Sequence, residues 1–182
     1  MEIPPAAIML AKRFEGFHRV PKNDPGRAYP YVCPAGFWTI GWGHLCDQNH
    51  PLITEVEAEA YLAADLMTAL NATLRCCPVL LSQPEGRLAA IVDFTFNLGA
   101  GRLQTSTLRR RVNQRDWRSS GQELRRWVYG GGKVLPGLCA RRQAEFDLLE
   151  TIGIAVETPI TGRPPHRSVR AQFGHTAPTL GV

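Results

Sequence analysis

One acidic residue near the N-terminus, Glu15, stands where its carboxyl group could act as a general acid. Phe14 precedes it and Phe17 follows two residues later, and apolar neighbours disfavour an ionised carboxylate by excluding water. A carboxylic acid that keeps its proton near neutral pH can protonate a departing oxygen, as glycoside cleavage requires. Taken alone, Glu15 also fits the more ordinary role of a solvated glutamate at a helix end.

A segment rich in aromatic residues and glycine, residues 33–44, follows downstream. Its run Phe37-Trp38-Thr39-Ile40 favours a β-strand, and Pro34-Ala35-Gly36 before it is typical of a turn. Residues 17–46 are therefore predicted to form a small hairpin or meander rather than a helix.

Most of the remaining chain has the periodicity of helices. A short helix is predicted over residues 2–15. Residues 54–57, Thr-Glu-Val-Glu, are a capping-box pattern that opens a longer helix, which Pro78 ends. Apolar residues recur at helical spacing from Leu88 to Phe96, and Gly99 closes that helix. Shorter helices are predicted at 105–113, 115–128 and 138–152, with a loop at Gly130-Gly131-Gly132.

These elements predict an α+β fold that is mainly α, with a small β element near the N-terminus. A length of 182 residues suits one domain and a tail, and an apolar share of 44% is enough for a core. Apolar periodicity ends near Glu157. Residues 1–156 are therefore expected to form the folded domain and residues 157–182 a flexible C-terminal tail.

The positive charge is concentrated in one stretch of the chain. The net charge is +5, but residues 109–142 hold 10 basic and 2 acidic side chains, a local net charge of +8. We call residues 109–142 the basic block. It would attract a polyanion such as nucleic acid, an anionic membrane or an anionic wall polymer, unless it only forms the solvated faces of helices.

The five cysteines are odd in number and irregular in spacing, without paired zinc-type motifs, so we expect reduced thiols, no metal and no cofactor. The N-terminus does not have the pattern of a secretory signal, and no segment approaches the roughly 20 apolar residues of a membrane span. We therefore expect the chain to be made in the cytoplasm and to stay there unless something else releases it.

Six motifs, in order and with compatible spacing, resemble those of the phage lysozyme family of endolysins, glycoside hydrolase family 24. The similarity covers about residues 6–152. The motifs are Phe14-Glu15-Gly16, Trp38-Thr39-Ile40-Gly41-Trp42-Gly43-His44, the helix start at residues 53–59, Phe94-Thr95-Phe96-Asn97-Leu98-Gly99 with Ser106-Thr107-Leu108, Arg126-Trp127, and the run at 131–138 followed by Arg141-Arg142.

The resemblance implies a lysozyme-like fold, in which a long helix joins a small β-hairpin lobe to a larger helical lobe and the glycan lies in the cleft between them. The implied activity is hydrolysis of the β-1,4 bond between N-acetylmuramic acid and N-acetylglucosamine in peptidoglycan, which lyses the host cell. The implied partner of the basic block is the anionic wall. A monomer without an obligatory protein partner is expected, released from the host cytoplasm by a separate holin.

The family's catalytic pattern is a Glu, then an Asp or Cys, then a Thr, with five residues between the last two. Glu15 matches the first position, and Cys33 and Thr39 match the pair. Seventeen residues separate Glu15 from Cys33 where the family has eight, which indicates an insertion near residues 20–27. Asp24 satisfies the shorter spacing, but Pro30 then stands where the Thr should be. The motif favours Cys33, and Asp24 before Pro25 also fits a turn residue.

Each position has an implied role. Glu15 would be the general acid, while Cys33 and Thr39 would hold a water on the opposite face of the sugar, with an inverting outcome. A neutral thiol is a poor base, so Cys33 would act as a thiolate favoured by the positive field, or would only position the water. Direct attack by the thiolate on the sugar is the less favoured route. Leu45, Phe96 and Thr107 are expected to line the glycan cleft.

Two further contacts are implied by the resemblance: an ion pair between His44 and Asp65, and the approach of Arg141 to Glu15. Two other hypotheses follow from the basic block instead. One is a nucleic-acid-binding module that uses its arginines with Trp117 and Trp127. The other is a membrane-disrupting basic helix within residues 108–126.

Overall fold

The computed structural model of the chain describes residues 1–17, 26–33 and 36–151. Helices dominate these ranges. They are α1 (Pro5–Glu15), α2 (Glu55–Cys76), α3 (Glu85–Leu98), α4 (Ala100–Thr105), α5 (Thr107–Asn113), α6 (Trp117–Leu124) and α7 (Pro136–Glu150), with a 3-10 helix at Pro78–Ser82. The strands are β1 (Arg27–Ala28), β2 (Tyr31–Val32), β3 (Trp38–Ile40), β4 (His44–Leu45), β5 (Ile53–Thr54), β6 (Tyr129–Gly130) and β7 (Lys133–Val134). The predicted mainly α class with a small β element is confirmed.

The small lobe is a three-stranded antiparallel sheet in the order β2-β3-β4. Tyr31 pairs with Thr39 and Ile40 pairs with His44, so the predicted strand at 37–40 exists as Trp38–Ile40. A second pair, β1 with β5, sets Arg27 opposite Thr54. Because Thr54 directly precedes α2, this pairing fixes the start of that helix to the small lobe.

Helix α2 joins the two lobes. The predicted capping box is confirmed: the Thr54 hydroxyl accepts a hydrogen bond from the Glu57 amide, and the Glu57 carboxylate accepts one from the Thr54 amide. With 22 residues, the helix is about 33 Å long at the usual rise. It packs on β4 and β5 near its start and on α3 and α4 further along. None of the described helices is long and apolar enough to cross a membrane.

The core of the large lobe is centred on α3, which packs against α1, α2 and α7. Ala89, Ala90, Ile91, Val92 and Phe94 are fully buried on it. Gly99 ends the helix with a φ of +88°, a backbone conformation that favours glycine. The end predicted from the sequence is thus confirmed.

Two local features differ from the predictions. The helix predicted at 105–113 is divided at Ser106, whose hydroxyl accepts a hydrogen bond from the Arg109 amide and caps α5. The predicted glycine loop carries the expected positive φ at Gly131 and Gly132, but it is the turn of a β6–β7 hairpin. Positive φ at both central residues suits the two-residue turns of such hairpins.

None of the five cysteines, all of which lie in the described ranges, forms a disulfide. Burial raises the pKa of the Cys77 thiol to about 12, with the neighbouring Cys76 adding to the effect and Arg109 opposing it. Cys77 is therefore an inert core residue. Asp24, the insertion around it and the tail at 157–182 lie outside the described residues, so the predictions made for them stand as predictions.

Candidate active site

A cleft of about 1110 Å³ opens between the β2-β3-β4 sheet and helices α2 and α3. Five of the six site residues predicted from the sequence line it: Glu15, Cys33, Thr39, Leu45 and Phe96. A volume of this order suits a ligand larger than a single sugar ring. The sixth, Thr107, lies instead at a separate pocket of about 210 Å³, together with Arg110, Arg111 and Gln114.

Glu15 is the last residue of α1, at the inner end of the cleft. Gly16 ends the helix there with a φ of +68°, donating its amide to Lys12 O. On the small-lobe side, Gly43 between β3 and β4 faces the Glu15 carboxylate.

Arg141 approaches Glu15 from α7, as the resemblance implied. Its Nη1 donates to Glu15 Oε1 at 2.6 Å. Its other two nitrogens donate to one buried carboxylate: Nε to Asp93 Oδ2 at 2.8 Å and Nη2 to Asp93 Oδ1 at 2.9 Å. The guanidinium also lies 5.6 Å from the Phe14 ring and 5.7 Å from the Phe96 ring, distances at which aromatic faces attract cations.

These contacts keep Arg141 charged. Burial by itself lowers the pKa of the Arg141 guanidinium, but the hydrogen bonds and negative charge of Asp93, followed by those of Glu15, raise it above its usual value. Glu15 is less enclosed than its partners: its side chain is 27% exposed, against 4% for Arg141 and 0% for Asp93. The carboxyl group is thus reachable from the cleft, whereas the groups behind it are not.

A second ion pair lies beside Asp93. Arg142 donates to the Glu145 carboxylate and, at 3.1 Å, to Asn97 Oδ1. Both charged side chains are fully buried. Burial raises the pKa of Glu145, with the charge of Asp93 adding to it and Arg142 opposing it. The end of α1 that carries Glu15 therefore rests on a buried network of alternating charges shared by α3 and α7.

Cys33 and Thr39 lie on the facing wall, in the hairpin that the sequence predicted. The Cys33 amide donates to Phe37 O at 2.8 Å and the Gly36 amide to Cys33 O at 2.8 Å. Residues 34 and 35 of the predicted turn lie outside the described residues. Since Tyr31 pairs with Thr39 and side chains alternate along a strand, Cys33 shares the sheet face of Thr39. Thr39 is buried and donates its hydroxyl to Tyr31 O at 3.3 Å. Its oxygen can still accept a hydrogen bond from a water in the cleft.

The His44–Asp65 pair links the small lobe to α2, as the resemblance implied. His44 Nδ1 lies 2.8 Å from Asp65 Oδ2, and the imidazole stacks on Tyr61 with 4.4 Å between ring centres. Leu45 follows His44 on β4 and is 66% exposed. An apolar side chain held in the open on a cleft wall suits contact with a sugar face.

The basic block is less exposed than its sequence suggests. Arg141 and Arg142 are buried in the charge network, where carboxylates outside the block, Asp93 and Glu145, bind them. Arg125 and Arg126 remain exposed. Its field at the surface is therefore weaker than a net charge of +8 implies.

Sequence reasoning missed the three residues that complete the network: Asp93, Arg142 as a buried group, and Glu145. The signal for Asp93 was its place in the apolar run Ile91-Val92-Asp93-Phe94 of α3, where every neighbour is buried. A carboxylate on a buried helix face must find a partner. Two adjacent arginines followed by Glu145 offered candidates for that partner.

Known proteins agree with this architecture. The phage lysozyme family model matches residues 12–145. An endolysin of Acyrthosiphon pisum secondary endosymbiont phage 1 is 36% identical over 158 residues, covering 83% of this chain and 99% of its own. A SAR-endolysin of Bacteriophage PS119 is 38% identical over 67% of this chain and 73% of its own.

Solved structures show the same fold. The muramidase domain of SpmX from Asticaccaulis excentricus has a TM-score of 0.68 at 28% identity, covering 82% of this chain and 98% of the domain. The endolysin from Escherichia coli O157:H7 phage FAHEc1 has a TM-score of 0.68 at 26% identity, covering 83% of this chain and 94% of its own. The fold is lysozyme-like, and the chain belongs to the phage lysozyme family.

Proposed function

We propose that the protein is a phage endolysin, a lysozyme that hydrolyses the β-1,4 bonds between N-acetylmuramic acid and N-acetylglucosamine in peptidoglycan and so lyses the host cell. The observation that carries this proposal is that Glu15, Cys33 and Thr39 line one and the same cleft. Family membership and endolysin relatives matched over most of their length support it.

Glu15 acts as the general acid that protonates the departing glycosidic oxygen. Its side chain lies at the end of α1 and is 27% exposed, so the carboxyl group can reach a bound glycan. The Glu15–Arg141 hydrogen bond fixes the direction of the carboxyl group.

Cys33 and Thr39 hold the attacking water on the other side of the sugar. Thr39 accepts a hydrogen bond from this water, because its own hydroxyl proton is engaged by Tyr31 O. Cys33, next to it on the same face, either accepts a proton as a thiolate or orients the water. Attack from the face opposite Glu15 gives inversion at the anomeric carbon.

The remaining predicted contacts concern the glycan. Phe96 and Leu45 offer apolar surface to sugar faces across the cleft. Thr107, the first residue of α5, contacts the substrate beside Arg110 and Arg111. The positive charge of these arginines would attract the peptide carboxylates of the wall. This attraction raises the rate of encounter with the wall and weakens as salt is added.

The cellular proposal is synthesis in the host cytoplasm and release to the wall through a separate holin. The catalytic domain spans residues 1–156 and works as a monomer.

The deciding experiment is a lysis assay on purified peptidoglycan. Glu15→Gln should lower the rate at least about 100-fold, while Glu55→Gln, an exposed glutamate of α2, should match the wild type. Equal lysis by Glu15→Gln and wild type, with both folded, would refute the assignment.

The second catalytic position is tested in the same assay with Cys33→Ser, Cys33→Ala and Asp24→Asn. We expect strong loss in Cys33→Ala and little change in Asp24→Asn. Full activity in both Cys33 variants together with loss in Asp24→Asn would assign the role to Asp24 instead.

A further inference from the structure

The catalytic glutamate shares its arginine with a second carboxylate. Asp93 takes two donors of the Arg141 guanidinium, at 2.8 and 2.9 Å, and Glu15 takes the third nitrogen at 2.6 Å. Asp93 does not line the cleft and is fully buried. It therefore does not touch the substrate, and it can influence the reaction only through its hold on Arg141 and through its charge.

Arg141 alone would be an unsuitable neighbour for a general acid. A positive charge in contact with a carboxylate favours its ionised form, commonly by 1–3 pH units. The general acid must instead hold a proton when the substrate binds. The hydrogen bond that orients Glu15 therefore brings with it a charge that opposes the role of Glu15.

We propose that Asp93 is a positioning residue that compensates the charge of Arg141. The guanidinium then orients the Glu15 carboxyl group without favouring the loss of its proton. The inference rests on the proposed role of Glu15 as general acid. With Asp93 ionised, the Arg141–Asp93 pair is neutral, and a protonated Glu15 leaves the group of three neutral as well. Loss of the Glu15 proton leaves one net negative charge in a largely buried place, which is unfavourable.

A neighbouring pair on α7, Arg142 and Glu145, lies beside Asp93, and its two side chains bind each other. Burial and then the charge of Asp93 raise the pKa of Glu145 against the opposing charge of Arg142. The variants below all keep this pair, so the differences between them report the charges of Arg141 and Asp93.

The other charged groups near Glu15 are also engaged. On α1, Lys12 binds Glu59 of α2, and the Arg13 guanidinium lies 5.2 Å from the Phe14 ring. On the facing wall, His44 and Asp65 bind each other. On the side of Glu15 that faces α3 and α7, Arg141 and Asp93 are thus the charges that act on its proton affinity.

The test is the pH profile of hydrolysis of soluble peptidoglycan fragments at fixed, high ionic strength. The rate falls on the alkaline side when the general acid loses its proton. Asp93→Asn keeps the shape of the side chain but frees the charge of Arg141. We call the descending, alkaline side of the pH–rate profile the alkaline limb. In the Asp93→Asn variant we expect this limb to move to lower pH by about one unit.

Two further variants separate charge from structure. Arg141→Gln leaves the Asp93 carboxylate uncompensated beside Glu15, so its limb should move to higher pH. The double variant Asp93→Asn/Arg141→Gln removes both charges, and its limb should return towards that of the wild type. Asp147→Asn, which removes an exposed carboxylate of α7, is the matched control and should not move the limb.

A purely structural role predicts a different result. Asp93→Asn would then lower the rate by a similar factor at every pH and leave the limb in place, and that outcome would overturn the proposal. If Asp93→Asn does not fold, Arg141→Gln decides, because an unmoved limb there contradicts the proposal equally. Glu15→Gln separates the two claims: full activity refutes the general acid, whereas an inactive Glu15→Gln with unmoved limbs in the other variants refutes only the role of Asp93.

Discussion

The backbone of Gly43 passes so close to Glu15 that a β-carbon at Gly43 would lie 3.1 Å from Glu15 Oε2. The φ of Gly43 is +83°, a conformation that other residues rarely adopt. Gly43 belongs to the turn between β3 and β4, and Arg141 holds the other oxygen of the same carboxylate. The acid is therefore held between a turn of the small lobe and a helix of the large one.

Replacing Gly43 by alanine should reduce activity more than stability. The new methyl group would push against the carboxylate and turn it from its position, and displacements of about 1 Å can cost on the order of 100-fold in rate. We expect at least a tenfold loss of peptidoglycan hydrolysis, and about 1 kcal/mol of stability from the strained φ. Rates on purified wall and thermal unfolding of the same preparation measure the two effects.

Gly132→Ala supplies the matched control. Gly132 has a φ of +77°, and no described atom lies within 4 Å of the β-carbon position. It should lose comparable stability and keep its activity. Equal loss of activity in both variants would mean that backbone strain, rather than contact with Glu15, limits Gly43→Ala.

Alkylation of Cys33 should inactivate the enzyme. Cys33 is partly exposed and lines the cleft, so a carboxamidomethyl group there would block the place proposed for the attacking water. Burial raises the pKa of Cys77 to about 12 and also raises that of Cys46, with Asp47 adding to the effect on Cys46. Both should react slowly with iodoacetamide. Mass spectrometry of the modified sites and the residual rate test this order.

Cys33→Ser treated in the same way should keep whatever activity it has, because its remaining thiols lie outside the cleft lining. A wild-type enzyme that is fully modified at Cys33 and still hydrolyses peptidoglycan would remove Cys33 from the site.

Local signals explain how much of the site the sequence could predict. The end of α1 at Gly16, the turn before Trp38 and the capping box at Thr54 each depend on a few adjacent residues. Glu15, Cys33 and Thr39 lie within or beside these short patterns, and the ordered motifs linked them.

The charge network could not be predicted in the same way. Asp93 and Arg141 are 48 positions apart and meet only because α3 packs on α7. A lone acidic residue in a helix ordinarily lies on a solvated face, and an arginine-rich run ordinarily forms a positive surface. The same limit applies to the β6–β7 hairpin, whose two-residue strands are too short to show alternation.

The capping box at the start of α2 should make stability depend on acid pH. The hydrogen bond from the Thr54 amide, then that from the Thr54 side chain, lower the pKa of Glu57 below its usual value. A carboxylate whose pKa is lower in the folded state stabilises the protein above its unfolded pKa, and this stabilisation is lost as pH falls through the folded value. Glu57→Ala should therefore be less stable than wild type at pH 7, with the difference shrinking below about pH 4.5.

Glu55→Ala tests whether the Glu57 effect is specific. Glu55 lies in the same first turn of α2 and adds favourable charge at the helix start, but it is not part of the capping box. Urea unfolding at pH 7 and pH 3 should give the larger pH-dependent difference for Glu57→Ala. Equal differences for the two variants would attribute the effect to charge at the helix start alone.

Gly121 on α6 should tolerate no side chain, because α6 packs there directly on α7. A β-carbon at Gly121 would lie 2.4 Å from the Phe146 ring, and Arg125 also contacts that ring, at 3.6 Å from its centre. Gly121→Ala must displace the ring, and overpacking of this kind costs about 1–3 kcal/mol.

Gly101 on α4 is the matched helical glycine, since its β-carbon position meets nothing within 4 Å in the described part of the chain. Gly101→Ala should gain about 0.5 kcal/mol from its better helix propensity. Thermal unfolding should therefore move in opposite directions for the two substitutions, and a gain of stability in Gly121→Ala would show that α6 and α7 pack less closely than described.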